Sequence, residues 1–335
     1  MDESRSGRRN HNRKSWKKPV LLIILLLIIL VVAIGIYTVF HGYQAAKEAY
    51  NSLDRPGNKS ALRDEAVTVG EDPISLLLMG VETYATHGKN GRADTLVVVT
   101  LNPKTDQMTM TSVPRDTRVD LPAEAVGQYA GYHKINAAYT FGAISGYGSN
   151  KLTVESVEEM LDIPIDGYIA VNFKGFRNIV DALGGVTVDI KKGFWEKNIF
   201  NDNKRIYFKE GKTTLNGEEA LAFVRMRKRD VNTVYPRDAR QRQFIQAAVD
   251  KAISVRTLLN LGDISDILGK NTETSLRPKE IFSLMKTYTS LNSKEVKTIE
   301  IEGIDQRIGG TLYFIPSEAG LQQATGQLKE ALDIQ

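Results

Sequence analysis

Ile74–Met79 reads I-S-L-L-L-M, Thr95–Leu101 reads T-L-V-V-V-T-L, and Met108–Val113 reads M-T-M-T-S-V. These runs decide the fold class. Each is short, apolar and bounded by turn formers, Gly80 after the first and Asn102-Pro103-Lys104-Thr105-Asp106 after the second, the pattern of buried strands. The second and third are expected to pair as a hairpin. Downstream, strands alternate with helices. Helices are predicted from Asn136–Gly142, over Thr153–Leu161 and over Phe173–Leu183, the last stopped by Gly184-Gly185. Strands are predicted at Tyr168–Val171 and Val186–Ile190. Next come a helix at Leu215–Leu221 running into a strand at Ala222–Met226, and a long helix at Arg237–Ser254. Further helices reach about Tyr288, followed by a strand at Val296–Ile301 and a final helix at Ser317–Leu332. Mixed elements of this kind in one body, residues 72–335, predict a single α/β domain. Its central mixed sheet is flanked by helices on both faces.

Upstream the composition changes. Residues 1–18 carry Arg5, Arg8, Arg9, Arg13, Lys14, Lys17 and Lys18 against Asp2 and Glu3. An uncharged apolar run follows from Pro19 to Phe40, long enough for a helix to cross the hydrocarbon core. A cleaved leader has a shorter apolar core and a small-residue site, so residues 19–40 read as an uncleaved transmembrane signal-anchor. The basic flank keeps the N-terminus cytoplasmic and sends the rest outside as a single-pass membrane protein. Residues 41–71 read as an extracytoplasmic stalk, with helical character at Tyr43–Leu53 broken by Arg55-Pro56-Gly57-Asn58.

The 335-residue chain has 44 basic and 40 acidic residues. Without the tail's seven basic and two acidic residues the balance is 37 to 38, so the outer body has no global basic field for nucleic acid. There are no cysteines, which excludes disulfides and a catalytic thiol. The four histidines, His11, His41, His87 and His133, make no metal pair. No P-loop, Gly-x-Gly-x-x-Gly or Gly-x-Ser-x-Gly motif is present.

Against that neutral background one segment stands out. Leu215–Phe244 holds Arg225, Arg227, Arg229, Arg237, Arg240 and Arg242, with Lys228 and Gln241. Guanidinium forks match phosphate oxygens bidentately and keep their charge. Strand alternation would put Arg225 and Arg227 on one face, and helical spacing groups Arg237, Arg240 and Gln241. Those five are selected as ligand-facing, whereas Arg229 and Arg242 read as surface residues. Three loops at strand ends add groups: Gly80-Val81-Glu82, Gly91-Arg92-Ala93-Asp94-Thr95 and Ser112-Val113-Pro114-Arg115-Asp116-Thr117. Ligand crevices in α/β sheets lie at such ends. Lys134 could also reach a phosphate, with Asn136 read as the cap of the helix that follows. Glu82 and Asp94 suit Mg2+, with Mn2+ as the alternative, because Mg2+ takes a few carboxylates plus phosphate oxygens and water.

These motifs occur in order, G-V-E, G-R-A-D-T, S-V-P-R-D-T, K-I-N-A-A-Y, L-G-G-V-T-V-D and L-N-G-E-E-A-L-A-F-V-R-M-R…R-D-A-R-Q-R-Q, from about Ile74 to Ile253. In that arrangement the chain resembles the LytR-CpsA-Psr family. The resemblance implies transfer of a glycopolymer from a polyprenyl-diphosphate carrier to peptidoglycan, and the anchor and stalk resemble the branch that attaches wall teichoic acid in Gram-positive rods. It implies that Arg92, Arg115, Arg225, Arg227, Arg237 and Gln241 bind the diphosphate, that Asp94 and Glu82 bind the metal, and that an apolar tunnel holds the prenyl chain. The tunnel residues are not assignable from sequence, since tunnel lining and core look alike. Asp94, Arg115 and Asp116 are the candidate catalytic residues, Asp94 or Asp116 taking the proton of the attacking hydroxyl. A non-catalytic binder or regulator of anionic lipid-linked polymers and a lipid-diphosphate polymer diphosphatase are the alternatives.

Overall fold

The computed structural model describes residues 40, 42–82, 90–227, 234–253, 271–287 and 296–334. The three apolar runs form β1 (Ile74–Glu82), β2 (Arg92–Asn102) and β3 (Gln107–Ser112). They are the middle of a six-stranded sheet in which β1–β2 and β2–β3 pair antiparallel. Outside them, β6 (Gly167–Asn172) runs parallel to β1, and β12 (Lys297–Ile299) runs parallel to β3. β11 (Thr272–Thr274) closes the edge antiparallel to β6. The sheet is mixed, as expected.

Strand alternation sends apolar side chains to both faces. Leu77, Met79, Leu96 and Val98 pack with α1 (Ala138–Ser145), α2 (Ser149–Leu161) and α7 (Glu318–Ala331). Ile74, Leu76, Val97 and Val99 face the other way, toward Ile245 of α5 (Arg237–Ile253) and Ile281 and Leu284 of α6 (Pro278–Thr287). A further apolar cluster joins α3 (Phe173–Ala182), α4 (Gly217–Arg225) and α5 to the ribbon of β7 (Val186–Ile190) with β10 (Gly211–Leu215).

Two expectations need correction. The strand expected at Ala222–Met226 does not form, because α4 continues to Arg225. Its start is fixed by a capping box. Asn216 accepts from the Glu219 amide at 3.0 Å and Glu219 accepts from the Asn216 amide at 2.9 Å, an arrangement that contributes about 1 kcal/mol. Gly217 permits the close approach of Arg177 in α3, where an added Cβ would strike the Arg177 backbone. The A-L-A-F-V run looked β-like only because it is buried on all sides.

The stalk is also not a free stalk. Residues from Gly42 belong to the same compact unit as the rest of the domain. Asn51 donates its amide to the Thr274 carbonyl at 2.8 Å, and Leu53 is buried in the core. Arg55 meets Glu158 at 2.5 Å and Arg63 meets Asp166 at 2.7 Å, all four side chains nearly buried. Those acids lie 103 residues away in sequence, so local charge pattern could not reveal them. The anchor expected at 19–40 lies outside the described residues except for Phe40. Among the described residues, no helix is long and apolar enough to cross a membrane.

Candidate active site

The site begins at a β-bulge. Gly80 pairs with Thr95 and Val81 with Ala93, so Asp94 has no opposite residue on β1. A bulge re-aims the side chains at its position. Asp94 and Thr95 therefore both line the cleft. The Asp94 carboxylate accepts from Arg115 Nη1 at 2.5 Å and from Asn136 Nδ2 at 3.0 Å. Asn136 is thus not the expected helix cap: Ile135–Ala137 form a 3-10 turn, and the side chain is spent on Asp94. Its role was missed because its partner lies 42 residues earlier.

After β3 the chain turns sharply at Pro114–Thr117. Thr117 donates its amide to Pro114 O at 2.9 Å, the Asn136 amide bonds Arg115 O at 3.2 Å, and the Phe314 amide bonds Asp116 O at 2.9 Å. With the backbone fixed on both sides, the Arg115 side chain lines the cleft and Asp116 lies next to it. Asp116 sits among cations, with Lys134 Nζ at 2.9 Å, Arg227 Nη2 at 3.1 Å and Arg115 Nε at 3.7 Å. That Arg115 Nε is buried and makes no hydrogen bond within the described residues. A buried donor without an acceptor costs about 1–3 kcal/mol, and a phosphate oxygen would relieve it.

Arg225 and Arg227 are brought to the site by the end of α4 and not by strand alternation. Arg225 is in the last helical turn and Arg227 lies just beyond it. Burial pulls the Arg225 guanidinium down, while the charges of Glu196, Glu82 and Asp94 oppose that shift. Arg237 enters from the start of α5, donating to Val224 O at 3.3 Å and to Asp94 O at 2.9 Å. Burial pushes it down to about 10, so it stays a cation at neutral pH. The Gln241 amide lies 3.0 Å from Thr95 Oγ1. With its oxygen toward Arg237, the orientation that avoids facing donor to donor, it also accepts from Arg237 Nε at 3.1 Å.

Arg240, expected on the same face, is not in the cleft. It is fully buried, and its guanidinium bonds the carbonyls of Tyr235, Phe223 and Met226. It ties the end of α4 to the residues just before α5, and it serves carbonyls that the helix end leaves without intrahelical donors. Arg242, read as a surface residue, instead bonds Asp238 at 2.9 Å and Glu300 at 3.0 Å at the cleft wall. Arg92 is exposed at the start of β2, opposite Glu82. Arg229 lies outside the described residues.

The charged cleft has a volume of about 230 Å3. A second cavity of about 260 Å3 adjoins it, and Thr95, Arg237 and Gln241 line both. Its walls are apolar, with Leu78 and Ile169 from the sheet, Phe176 from α3, Val224 from α4, and Phe244 and Ile245 from α5. One mouth of an apolar pocket is thereby capped by guanidinium groups, a receptacle for a molecule with a phosphate head and a hydrocarbon tail.

Residues 36–330 match the LytR_cpsA_psr family. The chain belongs to the LytR-CpsA-Psr family. It is 42% identical over 318 residues to the Bacillus subtilis (strain 168) polyisoprenyl-teichoic acid--peptidoglycan teichoic acid transferase TagV, covering 94% of this chain and 79% of that protein. The crystal structure of B. subtilis TagV superposes with a TM-score of 0.67, covering 79% of this chain and 99% of that one. A LytR-CPS2A-psr family protein, YwtF (TagT), solved with bound octaprenyl pyrophosphate lipid, is 32% identical with a TM-score of 0.65, covering 85% of this chain and 100% of that one.

In this LytR-CpsA-Psr chain Asp94 lines the cleft, and Glu82 ends β1 opposite Arg92, just past the bulge that presents Asp94. Among the described residues no three acidic or histidine side chains gather into a metal cage. Carboxylates of this kind fit Mg2+, which needs only a few of them and completes its shell with water and phosphate oxygens.

Proposed function

We propose that this protein moves a glycopolymer, wall teichoic acid, from an undecaprenyl-diphosphate carrier onto a peptidoglycan hydroxyl, forming a phosphodiester. The observation that carries this reading is that the cationic cleft and the apolar cavity lie side by side and share Thr95, Arg237 and Gln241 as lining. The carrier's diphosphate lies on Arg115, Arg225, Arg237 and Gln241, with Arg227 and Lys134 at the open side and Arg92 at the rim. The isoprene units nearest the diphosphate enter the cavity. The names of the relatives, and the lipid bound in the TagT structure, support the same assignment. Residues 1–18 are taken as cytoplasmic and 19–40 as a single-pass signal-anchor, with the domain outside the cell membrane of a Gram-positive bacterium.

In the transfer, a sugar hydroxyl attacks the polymer-side phosphorus. The phosphoanhydride P–O bond breaks and undecaprenyl phosphate leaves with the bonding electrons. The buried guanidinium groups offset the negative charge that develops on the transferring and leaving phosphates. Mg2+, held by Asp94 and Glu82, would supply further charge neutralisation at the phosphate oxygens. Lys134 and Arg227 are paired with Asp116 in the structure. A phosphate competes for those two cations, and its arrival frees Asp116 to accept the hydroxyl proton.

The test is product analysis with purified lipid-linked donor, with and without peptidoglycan. Transfer predicts polymer joined to peptidoglycan through a phosphodiester, one undecaprenyl phosphate per transfer, and little release without acceptor. Release of free polymer regardless of acceptor would assign a diphosphatase. Binding without turnover would assign a regulator.

A further inference from the structure

A two-stranded ribbon of β4 (Arg118–Leu121) and β5 (Gly131–Lys134) leaves the cleft directly beside Asp116. Its inner face is core: Val119 and Leu121 are buried, and His133 packs 4.5 Å from the Phe141 ring. Strand alternation and the register Arg118↔Lys134, Asp120↔Tyr132 put those four residues together on the outer face. One end of this face is Lys134 on Asp116. The other is Tyr132, 56% exposed, with the Arg118 guanidinium 3.5 Å from its ring centroid. That stack covers one face of the ring and fixes its orientation, leaving the other face free.

We propose that the outer face of β4–β5 binds the acceptor glycan, with Tyr132 as the platform for the sugar adjoining the one that reacts. The proposal rests on the transfer reading above and adds where the acceptor lies. A pyranose offers an apolar C–H face to stack on an aromatic ring, and hydroxyl and amide edges that suit Arg118 and Asp120. Tyr132 is two strand residues from Lys134, about 7 Å along β5, and Lys134 reaches Asp116 with its ammonium group. A glycan with its reacting hydroxyl at Asp116 and its chain running along the ribbon brings a neighbouring sugar to Tyr132. The ribbon packs with Tyr129, Phe141 and α1, whereas the donor cavity lies among α3, α4 and α5, so donor tail and acceptor approach Asp116 from different sides.

The experiment uses the full chain in proteoliposomes with soluble, uncross-linked peptidoglycan glycan strands. Direct binding and steady-state transfer are both measured. In Tyr132→Ala we expect the acceptor Kd and KM to rise about tenfold, the scale of one lost aromatic contact. Donor KM, kcat at saturating acceptor and the unfolding temperature stay unchanged, and Tyr132→Trp keeps wild-type acceptor values. A folded, active Tyr132→Ala protein with unaltered acceptor Kd and KM overturns the platform and leaves transfer intact. Glycan binding that depends on Tyr132 without any transfer upholds the platform and removes the transferase reading.

Discussion

Arg237 Nη2 donates to the main-chain carbonyl of Asp94 at 2.9 Å, which ties the first turn of α5 to the bulge of β2. The same guanidinium lines both the cleft and the apolar cavity. One residue therefore positions the bulged carboxylate and caps the proposed lipid site. Arg237→Ala is expected to lower transfer by about 100-fold or more, because it removes a buried cation from the developing charge. It also leaves two carbonyls with fewer donors, at a cost of about 2 kcal/mol in stability. Transfer assays and denaturant unfolding on the same preparation check both.

Arg240 should behave differently. Arg240→Ala strips the carbonyls of Tyr235, Phe223 and Met226 of a shared donor. We expect about 3 kcal/mol of lost stability, with prenyl-diphosphate affinity of the remaining folded protein unchanged. Chemical denaturation combined with lipid binding by the soluble fraction reads the two effects separately. Lost affinity in folded protein would place Arg240 back in the site.

Asp116 carries two roles, counter-ion to Lys134 and Arg227 and acceptor of the hydroxyl proton. Asp116→Asn removes the charge and the base but keeps the shape. Transfer should fall roughly 100-fold or more, while donor affinity holds or tightens because a competing carboxylate is gone. Single-turnover kinetics alongside equilibrium donor binding separates the two; weaker donor binding would contradict this role.

Chelation should stop transfer, with recovery on adding Mg2+ or Mn2+. Glu82→Gln should shift the Mg2+ concentration for half-maximal rate upward, and Asp94→Asn more so, since Asp94 also receives Arg115 and Asn136. A metal titration of each variant measures this. Full activity in chelator would remove the metal from the mechanism.

Filling the cavity tests its occupant. Val224→Trp places a large ring among Leu221, Phe176 and Phe244. Long-chain prenyl diphosphates should bind at least tenfold more weakly, whereas a diphosphate with a single isoprene unit should bind as before. Parallel titrations with the two ligands make the comparison.

The central strands were readable because each carries an unbroken apolar run ended by Gly80 or by the Asn102–Asp106 turn, signals that are local. The strand wrongly expected at Ala222–Met226 shows where local reading fails, since full burial erases periodicity and only the Asn216–Glu219 capping box marks a helix. Among the arginines, charge and spacing identified the group but not each destination. Arg237 and Arg240 differ by three positions, yet one caps a cleft and the other bonds carbonyls inside the fold. The bulge at Asp94 and the Asn136 contact depend on pairing across the sheet and on a loop 42 residues away. The cavity was invisible for a similar reason, because Phe176, Val224 and Ile245 look the same in sequence whether they fill a core or line a pocket.

The most direct measurement is photo-crosslinking with a prenyl diphosphate that carries a diazirine on its first isoprene units, followed by mass-spectrometric mapping. Labels on Phe176, Val224, Phe244 or Ile245, suppressed by unlabelled prenyl diphosphate and lost in Arg237→Ala, are the predicted result. Labels spread elsewhere on the domain, or unchanged by Arg237→Ala, would contradict the joined cleft and cavity as the carrier's binding site.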